Sequence, residues 1–123
     1  MLKSAQIDVF RAIGSIAGSL FGSTRSCVAH PIAAWITHGD ADTTVPIAGD
    51  ITTRDMIVAN NGCSTTATQS VTVTDRTYGA VTCTVYNQCT SGNNPVVWCP
   101  VVGEGHATPS FAGAEIARFF AQF

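Results

Sequence analysis

Residues 32–46 read Ile32-Ala33-Ala34-Trp35-Ile36-Thr37-His38-Gly39-Asp40-Ala41-Asp42-Thr43-Thr44-Val45-Pro46. The first six residues are a nearly unbroken apolar run. A run without polar alternation fits an inner strand of a parallel sheet covered on both faces. A polar loop rich in Asp, Gly and Thr follows, and Pro46 stops it. Residues 47–60 then read as a helix, with Ile47, Ile51, Met56, Ile57 and Ala59 roughly on one side. Asn60-Asn61-Gly62 ends it, because Asn and Gly tolerate the left-handed cap. Strand, loop and helix in this order are the unit of an α/β fold.

The flanking sequence extends that unit in both directions. Upstream, residues 12–17 (Ala12-Ile13-Gly14-Ser15-Ile16-Ala17) form a second short apolar run, expected as a buried strand. Residues 2–12 read as a helix leading into it, and residues 22–31 as a loop. Downstream, Val71 and Val73 alternate with Thr72 and Thr74, as in a half-exposed strand. Residues 82–86 look like its antiparallel partner. After a turn-rich loop, Pro95-Val96-Val97-Trp98-Cys99 reads as another buried strand. Residues 103–109 form a loop around His106. Residues 110–122 form an amphipathic helix with Phe111, Ala114, Ile116, Ala117, Phe119 and Phe120 on its apolar side. The expected fold class is α/β: a mostly parallel sheet with flanking helices and a small β-hairpin insertion.

Composition narrows the function classes. With 123 residues the chain is one domain at most. Hydrophobic residues make up 46%, which excludes a disordered chain. Only 11% are charged, the net charge is −2, and Lys3 is the sole lysine. Without a basic patch, nucleic acid is not the expected partner. No apolar run reaches the ~20 residues of a membrane span. Asp8 and Arg11 interrupt the N-terminal stretch before the apolar core of a signal peptide forms. Thr, Ser, Asn and Gln supply the polar surface, as is common in secreted proteins.

The five cysteines point the same way. Cys27, Cys63, Cys83, Cys89 and Cys99 contain no C-x-x-C and no zinc spacing. They read as disulfide partners from an oxidising compartment. Cys83 and Cys89 would close a short loop, and a Cys63–Cys99 bond would clip the helix end to the last strand. Cys27 is then left over. The alternative is five free, buried thiols. His30, His38 and His106 lack the spacing of a metal site, so neither metal nor cofactor is expected. His38 reads as a structural residue of its turn, and Trp35 and Trp98 as core. Tyr78 and Tyr86 either pack or face a sugar or aromatic acid.

Two loops carry the candidate chemistry, because each follows a buried strand and holds an ionisable residue. One is His38-Gly39 to Asp42; the other is Gly103-Glu104-Gly105-His106. Ligands and catalytic groups in open α/β sheets gather beyond the carboxyl ends of strands. A carboxylate on one loop can accept the Nδ1–H of a histidine on the next. That fixes the tautomer and leaves Nε2 to take a proton from a nucleophile.

Several segments together resemble one family. They are Asp8-Val9-Phe10-Arg11-Ala12-Ile13, His38 to Pro46, Arg54-Asp55, Asn60-Asn61-Gly62-Cys63, and Val96 to Pro100 followed by Gly105-His106-Ala107-Thr108-Pro109-Ser110-Phe111. In this order, residues 7–123 resemble the C-terminal half of secreted feruloyl esterases, acetylxylan esterases and polyhydroxybutyrate-depolymerase-type esterases. The resemblance implies the C-terminal half of an α/β-hydrolase fold. It also implies Asp42 as triad acid and His106 as triad base, with Asp40 as the competitor for the acid role. The implied substrate is an ester on plant cell-wall polysaccharide, or a polyester.

The chain departs from that family at the nucleophile. It contains no G-x-S-x-G. Ser15, Ser19 and Ser23 lack the flanking glycines of a strained elbow. The resemblance therefore places the serine and the oxyanion hole upstream of Met1, and residues 1–123 become a partial domain. Such a chain alone should be inactive. An open apolar sheet edge should pair with a second copy or with the missing half. The rival expectation is a catalytically inactive module that binds carbohydrate or a partner chain.

Overall fold

The computed structural model describes residues 10–19 and 30–123. The elements are β1 (Ala12–Ile16), β2 (Ala33–Gly39), α1 (Ile47–Asn61), β3 (Gln69–Asp75), β4 (Gly79–Tyr86), β5 (Val96–Val101) and α2 (Ala112–Phe120). The five strands form one sheet in the order β1-β2-β5-β4-β3.

The apolar run that opened the sequence reading is β2, buried along its whole length. Successive strand side chains point to opposite faces, so each face needs its own cover. Ala33 and Trp35 meet Val97, Cys99, Phe111 and Phe119 on the α2 side. Ala34 and Ile36 meet Val96, Trp98, Ile57 and Val58 on the α1 side. Trp35 and Phe119 pack edge to face with centroids 5.9 Å apart. Two cores explain why β2 and β5 show no polar alternation.

The pairing corrects the expected fold class. β1–β2 and β2–β5 are parallel, but β5–β4 and β4–β3 are antiparallel. The sheet is therefore mixed, and the molecule is not the mostly parallel half of an α/β-hydrolase. The hairpin is no small insertion; it supplies two of the five strands. The physical reason lies in what a sequence pattern reports. Alternation tells which face of a strand is covered, not which neighbour accepts its hydrogen bonds. Val81 and Cys83 of β4 join the α2-side core, and this draws the hairpin against the outer edge of β5. The strand at 12–17 also differs from expectation. Among the described residues β1 is an edge strand, in which Gly14 and Ile16 are exposed. The expected helix at 2–12 and loop at 22–31 lie almost entirely outside the described residues, as does Cys27.

Two disulfides join Cys63 to Cys89 and Cys83 to Cys99. The expected Cys83–Cys89 and Cys63–Cys99 pairs are not formed. Thr84 pairs with Trp98 across β4 and β5, so one step further along the ladder Cys83 stands opposite Cys99. Their Cα atoms are 4.3 Å apart, the spacing of facing residues in an antiparallel pair. Cys83 points into the sheet's core and cannot turn to Cys89. Cys89 lies in the loop wrapped over the end of α1, where Thr90 N–H donates to the Gly62 carbonyl.

That wrap is anchored by sequence features of the helix end. Gly62 has φ +65°, which a side chain would resist. Its N–H and that of Cys63 close onto the Ala59 and Val58 carbonyls, a Schellman cap. Asn61, fully buried, bonds both the N–H and the carbonyl of Ile32, and also the Asn94 carbonyl. One side chain thus ties the start of β2 to the end of α1. No described helix is long and apolar enough to cross a membrane.

Candidate active site

Parallel pairing of β2 and β5 brings their carboxyl ends to the same side of the sheet, and with them the two polar loops. Backbone bonds stitch the loops together. Asp40 N–H donates to the Val101 carbonyl, and Ala41 N–H donates to the Glu104 carbonyl. Gly39 is what permits this. A Cβ at Gly39 would stand 2.2 Å from the Glu104 carbonyl oxygen. The glycine of the His38-Gly39 pair therefore serves close approach of two backbones.

The approach brings Asp42 and His106 into contact. His106 Nδ1 lies 2.8 Å from Asp42 Oδ2. The other oxygen, Oδ1, accepts the N–H groups of Thr44 and Val45, both at 2.8 Å. These bonds fold the Thr- and Val-containing loop around its own aspartate. Burial pushes the Asp42 carboxyl up, but the Val45, His106 and Thr44 bonds outweigh it. The carboxyl is held below its usual range and is ionised at neutral pH. An ionised Asp42 only accepts, so Nδ1 carries the hydrogen. The Asp42 side chain is fully shielded, whereas the His106 side chain is 46% exposed. No described residue bonds the His106 Nε2. The arrangement presents an oriented imidazole with its basic nitrogen open to a reactant.

Asp40 sits elsewhere. Its Oδ1 accepts the Gly103 N–H at 2.7 Å and clips the two loops together. The structure brings Asp42, not Asp40, to His106. His38 belongs to the turn, as its place in the motif implied. Its Nε2 meets the Val45 carbonyl at 2.7 Å, and its Nδ1 meets Asp50 Oδ2 at 2.9 Å. Among the described residues no group of three or more His, Cys, Asp or Glu is disposed to hold a metal ion.

Three neighbours escaped the sequence reading. Asp50, on the first turn of α1, is fully buried against His38. Only an acid facing inward at a helix start signals it. Glu104 is 3% exposed, with Oε2 unpartnered among the described residues. Burial raises its carboxyl above the usual range, and the charge of Asp75 adds to this, against an opposing pull from His38. Its signal was an acid between two glycines, two residues before His106. Ser110 bonds Asp75 through its N–H and hydroxyl, which holds the hairpin tip to the loop beyond His106.

Other candidates fall in different places. Ser19 Oγ packs against Gly49 at the start of α1. Ser23 lies outside the described residues. Tyr78, 40% exposed, stands beside Gly103 at the edge of the His106 loop. Tyr86 is half-buried, with the Arg54 guanidinium 5.9 Å over its ring. A groove of about 820 Å³ runs between β3 and α2, lined by Trp35, Val73, Val97, Phe111, Arg118 and Phe119 among others. Neither Asp42 nor His106 lines it. No known protein-family model matches the chain, and no curated protein matches it.

Proposed function

We propose that Asp42 and His106 are the acid and base of a carboxylic ester hydrolase that works through a serine nucleophile. The observation that carries this reading is the 2.8 Å contact between Asp42 Oδ2 and an exposed imidazole, made across loops that follow parallel strands. In the proposed reaction His106 Nε2 takes the nucleophile's proton as the serine attacks the ester carbonyl. Asp42 stabilises the imidazolium, and His106 then returns the proton to the leaving alcohol. The motif resemblance to feruloyl, acetylxylan and polyhydroxybutyrate-depolymerase-type esterases supports aromatic or acetyl esters on polysaccharide, or a polyester, as substrate. Tyr78 is an exposed aromatic beside the His106 loop. Two disulfides and a lightly charged surface favour secretion.

The serine is supplied by a segment other than the described residues, or by a second chain. The outer edge of β1, unpaired among the described residues, is where such a strand would add. The test reads the gene in frame upstream of this chain and expresses the chain joined to any coding sequence found there. The expected product carries G-x-S-x-G and hydrolyses aryl acetates, and His106→Ala lowers kcat by roughly 10³-fold or more. The chain alone shows no turnover. Turnover unaffected by His106→Ala would sink the proposal.

A second reading is a binding module without catalysis. The groove between β3 and α2 favours it, since exposed Thr72, Thr74, Arg118 and Gln122 line it and offer polar contacts to a sugar or a partner. Binding of xylo-oligosaccharide abolished by Arg118→Ala, at an exposed residue of the groove, with no activity in any joined form, would favour this reading over the first.

A further inference from the structure

Behind Asp42 lies a second histidine–aspartate pair that the acid–base reading leaves unused. The side chains of His38 and Asp50 are both fully shielded from solvent. His38 Nε2 faces the Val45 carbonyl at 2.7 Å. A carbonyl only accepts, so Nε2 carries a hydrogen. On the other side, Nδ1 and Asp50 Oδ2 are 2.9 Å apart and share one proton. Asp50 Oδ1 is buried and has no partner among the described residues. An ionised Asp50 would strand a charged oxygen there without a donor. Burial also pushes the Asp50 carboxyl up, and the bond to His38 opposes this without cancelling it.

The position of that proton matters to Asp42. His38 Nε2 is 3.4 Å from Asp42 Oδ2, the oxygen that accepts from His106. A cationic His38 would divide the Asp42 charge between two histidines. Among the described residues, the ionisable groups that interact with His38 are Asp42 on its own turn, Asp50 on α1 and Glu104 on the loop after β5. All three are acids.

We propose that Asp50 keeps the shared proton and its O–H donates a hydrogen bond to His38 Nδ1, forming a neutral buried pair that positions the Asp42 turn through the Val45 carbonyl and leaves the Asp42 charge to His106. His38 and Asp50 are then positioning residues. The inference rests on Asp42 and His106 being the acid and base.

The test is long-range ¹H–¹⁵N spectroscopy of the full, disulfide-bonded chain at about pH 7. His38 is expected to show a protonated Nε2 and a bare Nδ1. Asp50→Asn should keep that tautomer and the His106–Asp42 bond, because the carboxamide N–H replaces the carboxyl O–H. A wild-type His38 protonated on both nitrogens near pH 7 overturns the proposal. So does a folded Asp50→Asn variant in which His38 loses its Nε2–H. The wild-type spectrum decides even where the variant fails to fold. A wild-type His106 whose Nδ1 is not bonded to Asp42 would instead sink the acid–base reading, whatever His38 shows.

Discussion

Gly39→Ala should separate the two loops that make the site, whereas Gly105→Ala, at the same junction but with its Cβ position in open space, should not. At Gly39 an added Cβ stands 2.2 Å from the Glu104 carbonyl oxygen and 2.6 Å from that of Gly105. Both obstacles are backbone, so a rotamer change relieves neither. An ordinary carbon–oxygen contact is no closer than ~3.2 Å, so the loop must retreat by about 1 Å. The overpacking costs about 1–3 kcal/mol. Losing the Ala41 N–H to Glu104 carbonyl bond adds about 1 kcal/mol. The sum of roughly 2–4 kcal/mol should lower Tm by about 10 °C in a domain of this size. Retreat by 1 Å would also stretch the His106–Asp42 contact from 2.8 Å beyond hydrogen-bond range. At Gly105 a Cβ meets nothing within 4 Å, so the control should lie within about 0.5 kcal/mol of wild type. Thermal unfolding by circular dichroism reads both. Equal Tm for the two variants would refute the argument that Gly39 exists for backbone approach.

Removing either disulfide should be costly, in proportion to the loop it closes. Sequence separations of 16 for Cys83–Cys99 and 26 for Cys63–Cys89 correspond to about 3 and 3.5 kcal/mol of chain entropy. Urea unfolding of the paired Cys→Ala variants checks this, and unchanged midpoints would contradict it. Stability should also fall as pH rises above about 4, where the unfolded chain releases protons that Glu104 and Asp50 retain when folded. Asp42 and Asp75 act oppositely: their contribution is present above about pH 4 and is lost as pH falls through their lowered folded values. Glu104→Gln should therefore make the decline above pH 4 shallower in a Tm series; an unchanged slope would rule out Glu104 as its source.

The parts of the molecule legible in the sequence were those written in consecutive residues. The run Ile32 to Thr37 announced β2, and the Asn61-Gly62 stop announced the end of α1. Asp42 and His106 stood out because each follows an apolar strand and ends a glycine-bearing loop. What pairing decides was not legible. The hairpin's apolar residues fit a strand on any sheet edge, and only packing against the α2-side core selects β5. The disulfides follow from that choice, because register sets Cys83 opposite Cys99. Asp50 and Glu104 escaped notice because an acid in a helix start or a loop is ordinarily solvated. Burial of these two is a tertiary outcome that local pattern does not encode.

The central claim is that Asp42 orients His106 so that Nε2 is left as the base. The ¹⁵N spectrum of His106 in its neutral form tests it most directly. The account predicts a hydrogen on Nδ1, held to Asp42, and a bare Nε2, with Nδ1–H moved or lost in Asp42→Asn. A wild-type His106 that carries its hydrogen on Nε2, with Nδ1 bare, would contradict the account.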